Sequence, residues 1–127
     1  METAFVCTGN RFRSMLAEAV ARKMYPEESF ESYGTEATRP IFDPVKEIVR
    51  ENDLEESVRY SPEQVSQNSL EENDRIICMT ERHRNFITEN FDIDEDRIEV
   101  WDIPDADPED DLEPIFKELE RKVGEMY

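Results

Sequence analysis

Residues 3 to 25 set a short apolar run, Thr3 to Cys7, against a loop containing Gly9 and then an alanine-rich stretch, Ser14 to Tyr25. In that stretch Leu16, Ala17, Val20, Ala21 and Met24 recur at helical spacing. A strand that passes through a tight loop directly into a helix is the opening unit of an α/β fold, and it leaves the helix N-terminus facing the loop. Cys7 and Arg13 stand six positions apart across that loop. The intervening backbone N–H groups can curl around an oxyanion, and the helix N-terminus adds roughly half a unit of positive charge. The field that holds an anion also favours a thiolate over a thiol, which makes Cys7, at the bottom of the cup, a candidate nucleophile.

The rest of the chain repeats the alternation. Ser29 to Tyr33 reads as a second strand ending at Gly34-Thr35, after Pro26 stops the first helix. Pro40, Asp43 and Pro44 mark a loop, and a helix from about Pro44 to Asn52 carries Val45, Ile48 and Val49 on one side. A shorter helix is expected from Pro62 to Gln67. The unbroken run Arg75 to Met79 is a core strand, and Thr80 opens a helix through Phe86 and Ile87. Ile98 to Trp101 is a fourth strand, and Leu112, Ile115, Phe116, Leu119 and Val123 share one face of a closing helix. Strands alternating with helices predict right-handed crossovers and a parallel sheet covered on both faces, with ligands bound beyond the carboxyl ends of the strands. Cys7, Gly34, Thr80 and Asp102 to Asp105 all fall just past strand ends, so one rim collects the candidate groups.

Length bounds the architecture to one domain over residues 1 to 127. The chain carries 33 acidic against 15 basic residues, a formal charge of -18. Such self-repulsion weakens a compact state unless salt screens it, and the crowding of carboxylates onto helices and the loop from Asp105 to Glu113 points to a halophilic source. An acidic surface disfavours nucleic acid and anionic membranes as partners, since both reward lysine and arginine. With no leading apolar run of signal length and no apolar segment near about 18 residues, the expectation is a cytoplasmic protein. Its two cysteines then read as thiols.

Around the loop each residue type suits an anion cup. Gly9 permits a tight turn, Asn10 tolerates a left-handed backbone, and Ser14 in the first helical turn can donate to the sulfur. Arg13 offers a planar fork for two phosphate oxygens, and Arg11 adds a second positive charge. Phe12, Tyr33 and Phe42 are candidates for an aromatic wall, core packing being the alternative fate.

Cys7-Thr8-Gly9-Asn10, Arg13-Ser14 and Ala17-Glu18 closely resemble the signature of the low-molecular-weight protein tyrosine phosphatases, which thioredoxin-coupled arsenate reductases share. The similarity continues through Ser32-Tyr33-Gly34-Thr35, the Asp74 to Thr80 strand and Trp101 to Asp105. The resemblance implies a phosphatase I-like, three-layer α/β fold with a four-stranded parallel sheet and helices on both faces. It further implies cofactor-free, metal-independent hydrolysis of a phosphomonoester through a cysteinyl-phosphate. Cys7 would be the nucleophile, Arg13 the oxyanion clamp and an aspartic acid the proton donor. Thr8, Gly9, Asn10, Arg11, Phe12 and Ser14 would form the substrate-binding loop. Expected ligands are a phosphorylated protein or small aryl phosphate, with phosphate or another tetrahedral oxyanion as inhibitor. Distance from the last strand selects Asp105 as the acid; Asp107, which precedes Pro108, is the next candidate and Asp102 the third.

In such phosphatases aromatic residues commonly follow the acid, whereas here Ala106, Asp107 and Pro108 do. Two alternatives use the same loop: an arsenate reductase dependent on an external thiol, and a non-catalytic phospho-ligand binding module. Cys78, inside an apolar strand, reads as an inert core thiol, and His83 reads as a surface residue near a helix start.

Overall fold

The computed structural model describes residues 1–41, 43–107 and 109–127. Phe42, a candidate for the aromatic wall, and Pro108, of the Asp107-Pro108 pair, lie outside the described residues. Four parallel strands, β1 (Glu2–Cys7), β2 (Ser29–Gly34), β3 (Arg75–Cys78) and β4 (Ile98–Val100), lie in the order β2-β1-β3-β4. Parallel neighbours require crossovers, and these are supplied by α1 (Arg13–Met24), α2 (Asp43–Glu51), α3 (Gln67–Glu71) and α4 (Glu81–Asn90), with α5 (Glu113–Gly124) closing the chain.

Strand alternation divides the core into two layers. From β1, Phe5 and Cys7 enter a cluster with Leu16 of α1, Val49 of α2 and Phe116 of α5, while Ala4 and Val6 enter a second with Leu70 of α3 and Ile87 of α4. Helices therefore cover both faces, which is the three-layer α/β arrangement expected from the sequence. On α1 every residue from Arg13 to Ala21 is buried, because small alanines let the helix sit between the sheet and α5. Tyr25 ends that helix and ties it to α5 by donating its hydroxyl to the Val123 carbonyl at 2.8 Å.

The short helix expected from Pro62 to Gln67 is displaced. Helix α3 starts only after Ser66, whose hydroxyl accepts from the Ser69 N–H at 3.2 Å while Ser69 Oγ accepts from the Ser66 N–H at 2.9 Å. Residues 63 to 65 instead run along the end of β2. The Gly34 N–H donates to the Glu63 carbonyl at 2.8 Å, and the Val65 N–H to the Gly34 carbonyl at 2.9 Å. A proline can open a helix, but here the unpaired end of an edge strand competes for the same backbone and wins.

Candidate active site

The loop from Thr8 to Phe12 leaves β1 at Cys7 and enters α1 at Arg13. Its start is pinned to the chain after β2, with the Thr35 N–H on the Cys7 carbonyl at 3.0 Å and the Glu36 N–H on the Thr8 carbonyl at 2.8 Å. Asn10 takes a φ of 53°, the left-handed region that asparagine tolerates better than most residues. Its side chain is fully buried and braces the loop from behind. Nδ2 donates to Ser14 Oγ and to Ser32 Oγ, both at 2.8 Å, and Oδ1 accepts from the Glu63 N–H at 2.9 Å.

That bracing orients the chemistry. Ser14 Oγ accepts from Asn10 and lies 2.9 Å from Cys7 Sγ and 3.5 Å from the Tyr33 carbonyl, the two groups toward which its own proton can turn. A hydroxyl polarised by an amide in this way is a better donor to whichever of the two it faces. Ser32 extends the chain, donating a short hydrogen bond to the buried carboxylate of Glu18. Arg22 and Arg59 pair with that carboxylate at 2.9 and 3.3 Å. Burial pushes the Glu18 carboxyl above its ordinary range, against the pull of Ser32 and the two arginines.

Arg13 is as buried as Cys7, both at 3 % exposure, and it is fixed from the opposite wall. Nη1 donates to the Ile103 carbonyl at 2.9 Å, and Nη2 lies 3.6 Å from Asp105 Oδ2. The loop carrying both partners is anchored by the Ile103 N–H on the Met79 carbonyl at 2.7 Å. Between these walls lies a cleft of about 390 Å³ at the carboxyl ends of the strands.

Of the residues singled out from sequence, Cys7, Thr8, Gly9, Arg11, Phe12, Arg13, Asp105 and Asp107 all border that cleft. Asn10 and Ser14 do not, and act from behind the loop through the bonds just described. Asp102 is also outside it, and Tyr33 packs in the α3–α4 core layer rather than on the cleft wall. Glu36, Thr38, Arg39 and Ala106 complete the rim. Cys78 is fully buried on the face of the sheet opposite Cys7, where burial pushes its thiol up to about 12. His83 corrects the sequence reading. It is not a surface residue but 2 % exposed, with its ring against the anion loop. The spacing of four between His83 and Ile87 on α4 was the available signal, since that is one helical face and Ile87 belongs to the core.

Residues 2–127 match the family described as Low molecular weight phosphotyrosine protein phosphatase. The chain belongs to that family. A low molecular weight protein-tyrosine-phosphatase, PtpB of Staphylococcus aureus, is 34% identical over 93 residues, an alignment covering 72% of this chain and 65% of that protein, just under two thirds of its length. The fold is similar to that of Vibrio vulnificus Wzb in complex with benzylphosphonate, with a TM-score of 0.85 at 19% identity over 97% of this chain and 94% of that one. It is also similar to that of the YwlE arginine phosphatase of Geobacillus stearothermophilus, with a TM-score of 0.77 at 23% identity over 97% and 88%.

In this member of the family the buried histidine gives the fold a pH dependence. Burial first, then Arg13 and Arg82, opposed by Asp105, push the His83 imidazole down to about 4. In the unfolded chain it titrates near about 6.5, so on acidification the unfolded form takes the proton first. The stability held by the neutral ring is complete above that value and is lost as pH falls toward 4. Between pH 7 and 4 the native protein is expected to lose up to about 3 kcal/mol more than a His83→Gln variant. Urea midpoints at matched salt measure this, and superimposable pH slopes would contradict it.

Proposed function

We propose that the chain is a hydrolase of phosphomonoesters, acting on aryl phosphates such as phosphotyrosine through a cysteinyl-phosphate intermediate. The observation that carries this reading is the convergence of Cys7 Sγ, the Arg13 guanidinium and the Asp105 carboxylate on one cleft. The Cys7 sulfur attacks phosphorus in line and forms an S–P bond as the ester P–O bond breaks. Asp105 delivers its proton to the departing oxygen, while the loop amides and Arg13 hold the equatorial oxygens. Water then attacks phosphorus, its proton passes to the now ionised Asp105, and the S–P bond breaks to release phosphate and restore the thiolate. Phosphate and vanadate are the inhibitors this geometry favours. An arsenate reductase on the same loop would depend on an external thiol, because Cys78, across the sheet from Cys7, does not serve as an internal one.

Asp105 is the acid in this reading because it sits at the guanidinium while Asp102 is outside the cleft. Asp107 borders the same space, so the test compares two variants. With p-nitrophenyl phosphate, Asp105→Asn is expected to lower kcat by roughly 10² to 10⁴ and to flatten the alkaline limb of the pH profile, with Asp107→Asn changed by only a few-fold. The reverse pattern would move the role to Asp107. We also read the acidic surface as an adaptation to concentrated salt, so activity in the same assay is expected to rise from about 0.1 M to molar salt, where screening shortens from about 10 to 3 Å.

A further inference from the structure

We propose that His83 is a positioning residue of the anion loop, holding the Thr8 hydroxyl as a donor directed at an anion seated over Cys7. The inference rests on the phosphatase reading above for its place in a reaction, but its geometry is independent of turnover. The ring lies between α4 and the loop, and each nitrogen has a partner. Nδ1 faces the Thr80 N–H at 3.1 Å, and a backbone amide can only donate, so this nitrogen carries no proton. The proton is therefore on Nε2, which lies 2.9 Å from Thr8 Oγ1 and donates to it.

The consequence falls on the threonine. A hydroxyl has one proton and rotates to suit its surroundings. With one of its lone pairs occupied by the histidine, the Thr8 proton is left for an acceptor on its other side. Thr8 borders the cleft beside Cys7, and an oxyanion there is that acceptor. The push of burial and of Arg13 and Arg82 on the imidazole agrees with a ring that stays neutral and keeps this directionality. Nothing else assigned to the reaction uses this bond, yet it joins the N-terminus of α4 directly to the first residue of the loop.

Two substitutions separate this role from simple capping of α4. Asparagine can replace the Nδ1 acceptor toward Thr80 but falls short of Thr8. Glutamine can place an amide N–H near the Nε2 position. Binding of inorganic phosphate to the full chain, measured by calorimetry at pH 7 in molar potassium chloride, is expected to weaken about tenfold in His83→Asn and less than about threefold in His83→Gln. In a Thr8→Val background His83→Asn is expected to add less than about a twofold change, because the bond it removes is already gone. The proposal is overturned if His83→Asn leaves phosphate binding unchanged, if Gln weakens it more than Asn, or if Asn costs the same with and without the Thr8 hydroxyl. A native protein that binds phosphate but releases no p-nitrophenol would sink the hydrolase reading and leave this test standing.

Discussion

Cys7→Ser is expected to lower the rate of p-nitrophenyl phosphate hydrolysis by roughly 10⁴-fold or more while leaving phosphate affinity within a few-fold of native. The split follows from which atoms do what. In the proposed reaction the anion is held by loop amides and by Arg13, whose guanidinium is fixed by the Ile103 carbonyl, and none of these depends on the sulfur. Serine is slightly smaller and fits the same buried position, so the bracing of the loop by Asn10 persists. What disappears is the nucleophile. An alkoxide is far harder to form than a thiolate in the same field, and the Ser14 hydroxyl beside this position cannot make up that difference. Initial rates together with calorimetric phosphate titration measure both halves. A variant that keeps activity within about tenfold of native would remove Cys7 from the nucleophile's role.

Gly34→Ala is expected to damage the site although the residue donates nothing to it. Glycine here serves close approach. A Cβ at this position would stand 2.6 Å from the Thr8 carbonyl oxygen and 3.0 Å from both the Asn10 nitrogen and the Gly9 carbonyl carbon. All three are backbone atoms, so no side-chain rotation relieves the clash. Nor can the strand recede, because the Gly34 N–H and carbonyl are both bonded to residues 63 to 65. The loop has to move, and a displacement of about 1 Å in the reacting geometry costs on the order of 10²-fold in rate. Stability should fall by about 1 to 3 kcal/mol as well. Thermal unfolding, kcat/KM and phosphate affinity should all worsen together, unlike the split expected for Cys7→Ser. A Gly34→Ala protein with native phosphate binding would show that the loop tolerates the contact.

The alternation of strands and helices was readable because apolar periodicity and the prolines and glycines between elements are local properties. The same is true of the anion loop, where strand, tight turn and helix occupy neighbouring residues. Long-range competition was not readable. Pro62 announces a helix by itself, and only the open edge at Gly34 and the amide of Asn10 explain why residues 63 to 65 stay extended. His83 was misplaced for a similar reason. Glu81, Arg82 and Arg84 surround it in sequence, whereas its ring is buried and bonded to Thr8, 75 residues away. Arg59 gave no local sign of reaching Ser32 and Glu18 beneath the loop. Glu18, a carboxylate within the buried run Leu16 to Ala21, was a usable hint that something must compensate it.

The two outer strands bear on how the molecule behaves when crowded. In concentrated electrolyte the mutual repulsion of acidic surfaces is largely screened, so charge alone no longer keeps sheet edges of different molecules from pairing. Shape takes over that task. One border, β2, ends under the extended segment from Glu63 to Val65, and the other, β4, has only three residues, with Glu99 held in a forked contact by Arg75 of the neighbouring strand. An edge capped at its end and a short one leave little template for intermolecular aggregation once salt screens the surface charge.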